Sequence, residues 1–430
     1  MKKLYFIIAL LLTIIMSSCS KESTKIINPQ DYNKYLDSKE NKSLNFVQSE
    51  ISFWQSKFDK AEGQFSYLSQ ISSNYSKLFE ITANIDYLKK SEELLIKSNE
   101  ASNYGNIETI RSLVKNYISQ HRFKEALALA NKALANGEGM LETKNLLFDI
   151  QIELGNYAEA KKALKAIYNM KSFDCLIRMA KWRDHLGDLK TAISLMKNAA
   201  TIAEYNDTKE LKISAYSYLA DLSGRANKIK ESYTYYLKTL NIDPNNIDAL
   251  KGIAWIAFSQ EKNTKEANRI LNIISKKHNS PDLYLFKSEI ANYQNDTKSR
   301  TKNLNSYFAL LKNPNYGVMY NKYSALLFED DKNTVVKALQ IAQQEIANTP
   351  TPESYDLLAW TYLKLGENKK AFEIAQKYVA NQSFNPKIKF HLASIYKANK
   401  MNDKIAPIKA ELINCKFELG PNMISKINQL

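Results

Sequence analysis

Residues 213–246 read ISAYSYLADLSGRANKIKESYTYYLKTLNIDPNN, and their pattern decides the architecture. Apolar side chains recur at helical spacing on both sides of a short polar break, which predicts two helices joined by a tight turn. Ala220 in the first helix and Ser232 in the second are small. Two helices approach to about 8–10 Å only where small residues meet at the crossing, so this pair marks the contact. Pro244 then stops the second helix.

The same small residue returns along the chain, early in each second helix: Ser91, Ala126, Ala160, Ala192, Ser232, Ala267, Ala338 and Ala371. The steps are 35, 34, 32, 40, 35, 71 and 33 residues, the 71 being two steps across one degenerate unit, and Ile405 follows 34 later. GNYAEAKKALKAI (155–167), HRFKEALALANKAL (121–134), GDLKTAISLMKNAA (187–200) and GENKKAFEIAQKYV (366–379) share one grammar. Ala254, Ala359 and Ala393 join Ala220 as first-helix counterparts, and Pro281, Pro350 and Pro386 stand with Pro244 at unit boundaries. A period near 34 residues with these positions resembles the tetratricopeptide repeat. Tyr216, Leu219, Ala220, Ser232, Tyr236, Leu240 and Pro244 fall where that family places its signature residues.

The resemblance implies an all-α, right-handed superhelical solenoid of about ten hairpins with flanking N- and C-terminal helices. Each hairpin leaves apolar faces that only its neighbours cover. The units drawn from the sequence are 72–106, 107–140, 141–172, 173–212, 213–246, 247–281, 282–318, 319–351, 352–385 and 386–415. Unit 282–318 is degenerate, since NLNSYFALL (303–311) offers no small crossing residue; unit 173–212 is long, with an extra stretch through AEYNDTKE (203–210). Residues 42–71 supply N-terminal helices, and 416–430 a closing helix that starts near Pro421 and covers the last open face. The low usage of Gly (11) and Pro (9) in 430 residues agrees with long helices and short links.

The N-terminus carries a different message. Lys2 and Lys3 precede an apolar run from Leu4 to Met16, too short for a membrane span, and Ser17, Ser18 and Cys19 follow. Met16-Ser17-Ser18-Cys19 resembles a bacterial lipobox, which implies removal of 1–18, lipidation of Cys19 and a place in the cell envelope. Ser20 after the Cys implies sorting to the outer membrane, and Lys21-Glu22 resembles the tag of surface lipoproteins in Bacteroidetes. Residues 19–41 are polar and without periodicity, and are expected to be a flexible tether. Losing Lys2 and Lys3 from 60 basic residues leaves 58 against 45 acidic, a net charge of +13. Acidic partners suit that balance, although an AT-rich coding sequence also enriches Lys, Asn, Ile and Tyr. No run of five basic residues occurs, so nucleic acid is not expected. Cys175 and Cys415 stand too far apart in the array to pair and are expected to be free, buried thiols.

The chain has no phosphate-binding glycine loop, no nucleophile elbow, and no histidine with metal-ligand spacing among His121, His185, His278 and His391. Neither catalysis nor a cofactor or metal is expected. Binding remains. The resemblance implies a concave groove lined by first-helix side chains at unit positions 2, 5, 9, 12 and 13. Candidates there are Arg111, Lys115, Lys181, His185, Lys251, Trp255, Phe258, Asp356, Trp360 and Lys364. Trp255 and Trp360 either meet a peptide or sugar ring or fill space between first helices. The carboxylate clamp of chaperone-binding members is excluded, because Leu146 stands where Asn is required. The sequence therefore reads as an envelope scaffold for a protein or peptide. The alternative is a glycan-capture lipoprotein similar to the starch-utilisation binding proteins.

Overall fold

The structure, a computed structural model, describes residues 25–37, 41–61 and 63–430. Among these residues there are 23 α-helices and no strand. Helices α1 (Pro29–Leu36) and α2 (Lys42–Lys60) precede ten hairpins. These are α3 (Ser66–Thr82) with α4 (Ile85–Ala101), α5 (Ile107–Ser119) with α6 (Phe123–Ala135), and α7 (Met140–Glu153) with α8 (Tyr157–Ala166). Next come α9 (Phe173–His185) with α10 (Leu189–Tyr205), α11 (Lys209–Arg225) with α12 (Ile229–Ile242), and α13 (Ile247–Ser259) with α14 (Thr264–Ile274). The last four are α15 (Pro281–Tyr293) with α16 (Thr297–Leu310), α17 (Asn321–Phe328) with α18 (Val335–Asn348), α19 (Pro352–Lys364) with α20 (Asn368–Tyr378), and α21 (Pro386–Ala398) with α22 (Ile405–Leu412). Helix α23 (Lys416–Asn428) ends the chain.

The local signals act as physical chemistry requires. Proline opens α15, α19 and α21, where its missing N–H costs nothing. Asn106, Ser172, Asn246 and Thr351 cap first helices with a side-chain oxygen on a free backbone N–H. All eight recurring small residues, from Ser91 to Ala371, are completely buried, as are Ala220, Ala254, Ala359 and Ala393. The unit without a small crossing residue is built otherwise. Tyr307 of α16 is completely buried, and its hydroxyl meets Ser324 Oγ at 2.9 Å.

The repeat coils back on itself. The turn after α3 meets the loop before α15, where Asn279 N donates to Thr82 O at 3.0 Å. Asn315 Nδ2 reaches Asp86 Oδ1 at 2.7 Å, and Tyr316 packs beside Ile85 and Leu88. Further along, Lys124 Nζ donates to Ala347 O at 2.6 Å, and Asn227 Nδ2 to Asn414 O at 2.7 Å. Hairpin turns of the first five units thus rest on links five to six units later, so two superhelical turns stack.

Two segments depart from expectation. The tether drawn over 19–41 contains α1, which docks on the outer helices α12 and α14. Tyr32 is completely buried and donates to Glu266 Oε1 at 2.7 Å; Ile26 N and Ile27 N donate to Glu261 Oε1 at 2.6 and 2.9 Å. Polar composition hid a short apolar face of Ile27, Tyr32, Tyr35 and Leu36. Those four side chains suffice to dock on an existing surface, though not to form a core of their own. The C-terminal helix does more than cover the last unit. It turns inward and packs on the first helices α11, α13, α15 and α21.

Candidate functional site

First helices face the superhelix axis, and α23 fills the axial space along the middle units. Gly224, inside α11, explains part of this. A Cβ at that position would overlap the Phe417 ring, so the glycine gives up helix propensity, about 1 kcal/mol, to seat it. Trp255 Nε1 donates to Phe417 O at 2.8 Å, Arg225 Nε to Glu418 at 3.2 Å, and Asn422 Nδ2 to Glu289 O at 2.8 Å. Gly420 adopts φ 68°, ψ 171°, breaking the helix at Gly420-Pro421 so that the chain bends along the groove.

Most of the groove candidates make contacts within the chain. Phe258 is completely buried in the core and is not a groove residue. Trp255 packs edge-on against Phe258 and Phe286 beneath α23. Lys251 pairs with Asp282 at 2.6 Å, because the next first helix presents a carboxylate there. Arg111 donates to Gly139 O at 3.3 Å, and Lys181 pairs with Asp149 at 3.1 Å. Lys115 is exposed, and Leu146 is in the core. Tyr157 stacks on His185 at 4.3 Å, and burial pushes the His185 pKa down. Cys175 is free and buried, while Cys415 is free and only half-buried. Cys19 lies outside the described residues.

Three candidates do converge on one place. Asp356, Trp360 and Lys364 of α19 line a cavity of about 350 Å³ in the second turn. Its walls are α15, α17, α19 and α21, with Arg300 from the start of α16 and Asn422, Met423 and Lys426 from α23. The His391 imidazole stacks on the Trp360 indole at 4.0 Å, and the Lys364 ammonium lies 5.0 Å from the same ring. Asp356 Oδ2 holds His391 Nδ1 at 2.8 Å, and Lys364 pairs with Asp330 at 3.3 Å. Trp360 is therefore engaged by His391 and Lys364 within the chain.

The cavity is rich in cations. Arg300, Lys322, Lys387 and Lys426 line it, and none forms an ion pair or side-chain hydrogen bond among the described residues. The carboxylates that line it are Glu289, Asp330 and Asp356. Burial pushes the Glu289 pKa up, and Asp330 and Asp356 are engaged as described. Just behind the wall, Glu329 is buried and accepts from Thr361 Oγ1 at 2.6 Å. Desolvation pushes its pKa up to about 8, with neighbouring Asp356 adding to the rise, so at neutral pH it adds little negative charge. Sequence reasoning missed these four cations. Lys387 occupies the second position of its unit, one of the groove positions, so that signal was present. Lys426 was not legible, because it reaches the cavity only through the inward turn of α23. Among the described residues, no group of three or more His, Cys, Asp and Glu is placed to hold a metal ion.

A tetratricopeptide repeat family model matches residues 117–169. No curated protein matches the sequence. Among solved structures, the chain is similar to the human IFIT1 dimer with PPP-AAAA, at 13% identity and a TM-score of 0.45, covering 73% of this chain and 71% of that one. It is also similar to yeast Tom70, at 13% identity and a TM-score of 0.37, covering 88% and 97%. Neither likeness bears on what this chain binds.

Proposed function

We propose that the chain is a non-enzymatic, lipid-anchored adaptor of the cell envelope that holds a segment of a partner protein in the second-turn cavity. The observation that supports this most is the convergence of four first helices and α23 on an open space bordered by four cations that form no ion pair among the described residues. The axial space around it already accommodates peptide: Trp255 and Asn422 bridge α23 to α13 and α15 through backbone carbonyls. The contacts of Trp255 with Phe286 and of Trp360 with His391 and Lys364 favour the peptide reading over the glycan one.

Lipidation at Cys19 would leave five residues before Lys25, a reach of roughly 20 Å at full extension. The docked α1 would then hold the body close to the membrane, with the outer helices α12 and α14 nearest to it. No helix among the described residues is long and apolar enough to cross a membrane. Two experiments test the reading. Cys19→Ala should move the protein from the membrane fraction to the soluble one. Capture from detergent-solubilised envelopes should yield a partner that a Lys387→Glu/Lys426→Glu variant loses. Unchanged fractionation sinks the anchor, and an equal yield from the variant sinks the cavity.

A further inference from the structure

We infer that the second-turn cavity selects an acidic peptide segment, recognised by charge and amide hydrogen bonds rather than by aromatic stacking; this rests on the adaptor reading above. Charge is the first argument. Five cations (Arg300, Lys322, Lys364, Lys387, Lys426) and three carboxylates (Glu289, Asp330, Asp356) line the space. The only ion pair between a lysine and a carboxylate within the lining is Lys364–Asp330, and Asp356 is spent on His391. Glu289 is held toward its neutral form by burial, although Lys387 and Lys426 oppose the shift. Five cations against three carboxylates leave a positive surplus, and Arg300, Lys322, Lys387 and Lys426 form no direct ion pair among the described residues, although Glu289 lies near Lys387 and Lys426 and Glu345 near Lys322.

The second argument is the source of the cations. Arg300 comes from α16, Lys322 from α17, Lys387 from α21 and Lys426 from α23. Elements far apart in sequence deliver like charges to one concave surface, which is unfavourable for the empty protein and is relieved by an anionic ligand. Walls of low polarisability around a cleft focus that potential. The third argument is the side chains between them. Asn292, Asn385 and Asn422 also line the cavity; Asn385 Oδ1 already accepts from Lys387 N and Asn422 Nδ2 donates to Glu289 O, so Asn292 is the side chain whose whole amide can serve backbone groups of an extended segment. The Trp360 ring is already stacked by His391 and has the Lys364 ammonium 5.0 Å from its centroid, so it offers a planar apolar group a poor platform. About 350 Å³ admits a few side chains, not a folded domain.

Fluorescence anisotropy with the full soluble chain tests this, using labelled twelve-residue peptides of identical apolar content that carry either Asp/Glu or Lys at alternate positions. The acidic peptide should bind, and binding should weaken as salt rises. The double variant Arg300→Glu/Lys387→Glu should weaken it at least tenfold. Lys161→Glu/Lys165→Glu, which makes the same net-charge change on α8, should leave it within twofold. Thermal melts of both variants establish that they fold; should the cavity variant not fold, Arg300→Gln/Lys387→Gln replaces it. Equal affinity for the two peptides, or equal losses in the two variants, overturns the inference. A captured envelope partner that docks in the cavity through a neutral segment overturns the ligand class and leaves the adaptor reading standing. Loss of the partner's dependence on the cavity overturns both.

Discussion

Glu329→Gln probes the wall of the cavity without touching its lining. The carboxyl is 4% exposed, accepts from Thr361 Oγ1 at 2.6 Å, and has a pKa raised to about 8 by desolvation, with Asp356 adding to it. Its folded pKa lies above the unfolded value of 4.5, so between those values the folded state keeps a proton that the unfolded chain gives up. Stability is then lost as pH rises from about 4.5 towards 8, and stays level above that. At about 1.4 kcal/mol per pK unit, the rise amounts to roughly 3 kcal/mol at pH 7 and up to about 5 above pH 8. Glutamine keeps an oxygen for Thr361 and carries no charge. Urea titrations at pH 4.5 and 8.5, at fixed ionic strength, should therefore show the variant gaining on the parent at pH 8.5 and matching it or falling slightly below at pH 4.5. Hydrogen exchange should place the gain in α17 and α19, which matters because long arrays need not unfold in one step. A difference independent of pH would refute the desolvation argument.

Other perturbations test the remaining structure. Gly224→Ala adds a Cβ where the Phe417 ring sits, so hydrogen exchange over 414–430 should rise by about tenfold or more while the other helices keep their protection. Tyr32→Phe deprives Glu266 of a 2.7 Å hydrogen bond and should cost about 1–2 kcal/mol in local opening of α1, read by hydrogen exchange over residues 29–36. Small-angle X-ray scattering should give a radius of gyration of roughly 22–25 Å, near the value for a compact chain of this length. An uncoiled row of ten hairpins spaced by about 10 Å would give about 30 Å or more.

The architecture was legible because its signals are local and repeated. Ala126, Ala160 and Ala192 declare the crossings, and Pro281 and Pro386 open helices at the places they were read. What the sequence did not disclose are contacts between superhelical turns and with the termini. Lys124 meets Ala347 and Asn227 meets Asn414 across nearly two hundred residues or more, and no periodicity encodes such pairs. Trp255 illustrates the consequence. Its position in a first helix marked it for the groove, and the groove at that level is filled by Phe417 and its neighbours. Trp360 sits in the cavity as its position suggested, yet His391 arrives one unit later and stacks on its ring. Glycine at 224, near the end of α11, was a local sign of that close approach.

Placing a photo-crosslinking amino acid at Asn292, inside the cavity, and in a second strain at Lys161, on the outside of α8, tests the functional account most directly. Illumination of living cells should give a discrete adduct to one partner from position 292, lost when Arg300→Glu/Lys387→Glu is added, and none from position 161. The same adduct from position 161 alone, with position 292 silent, would contradict a partner held in the cavity.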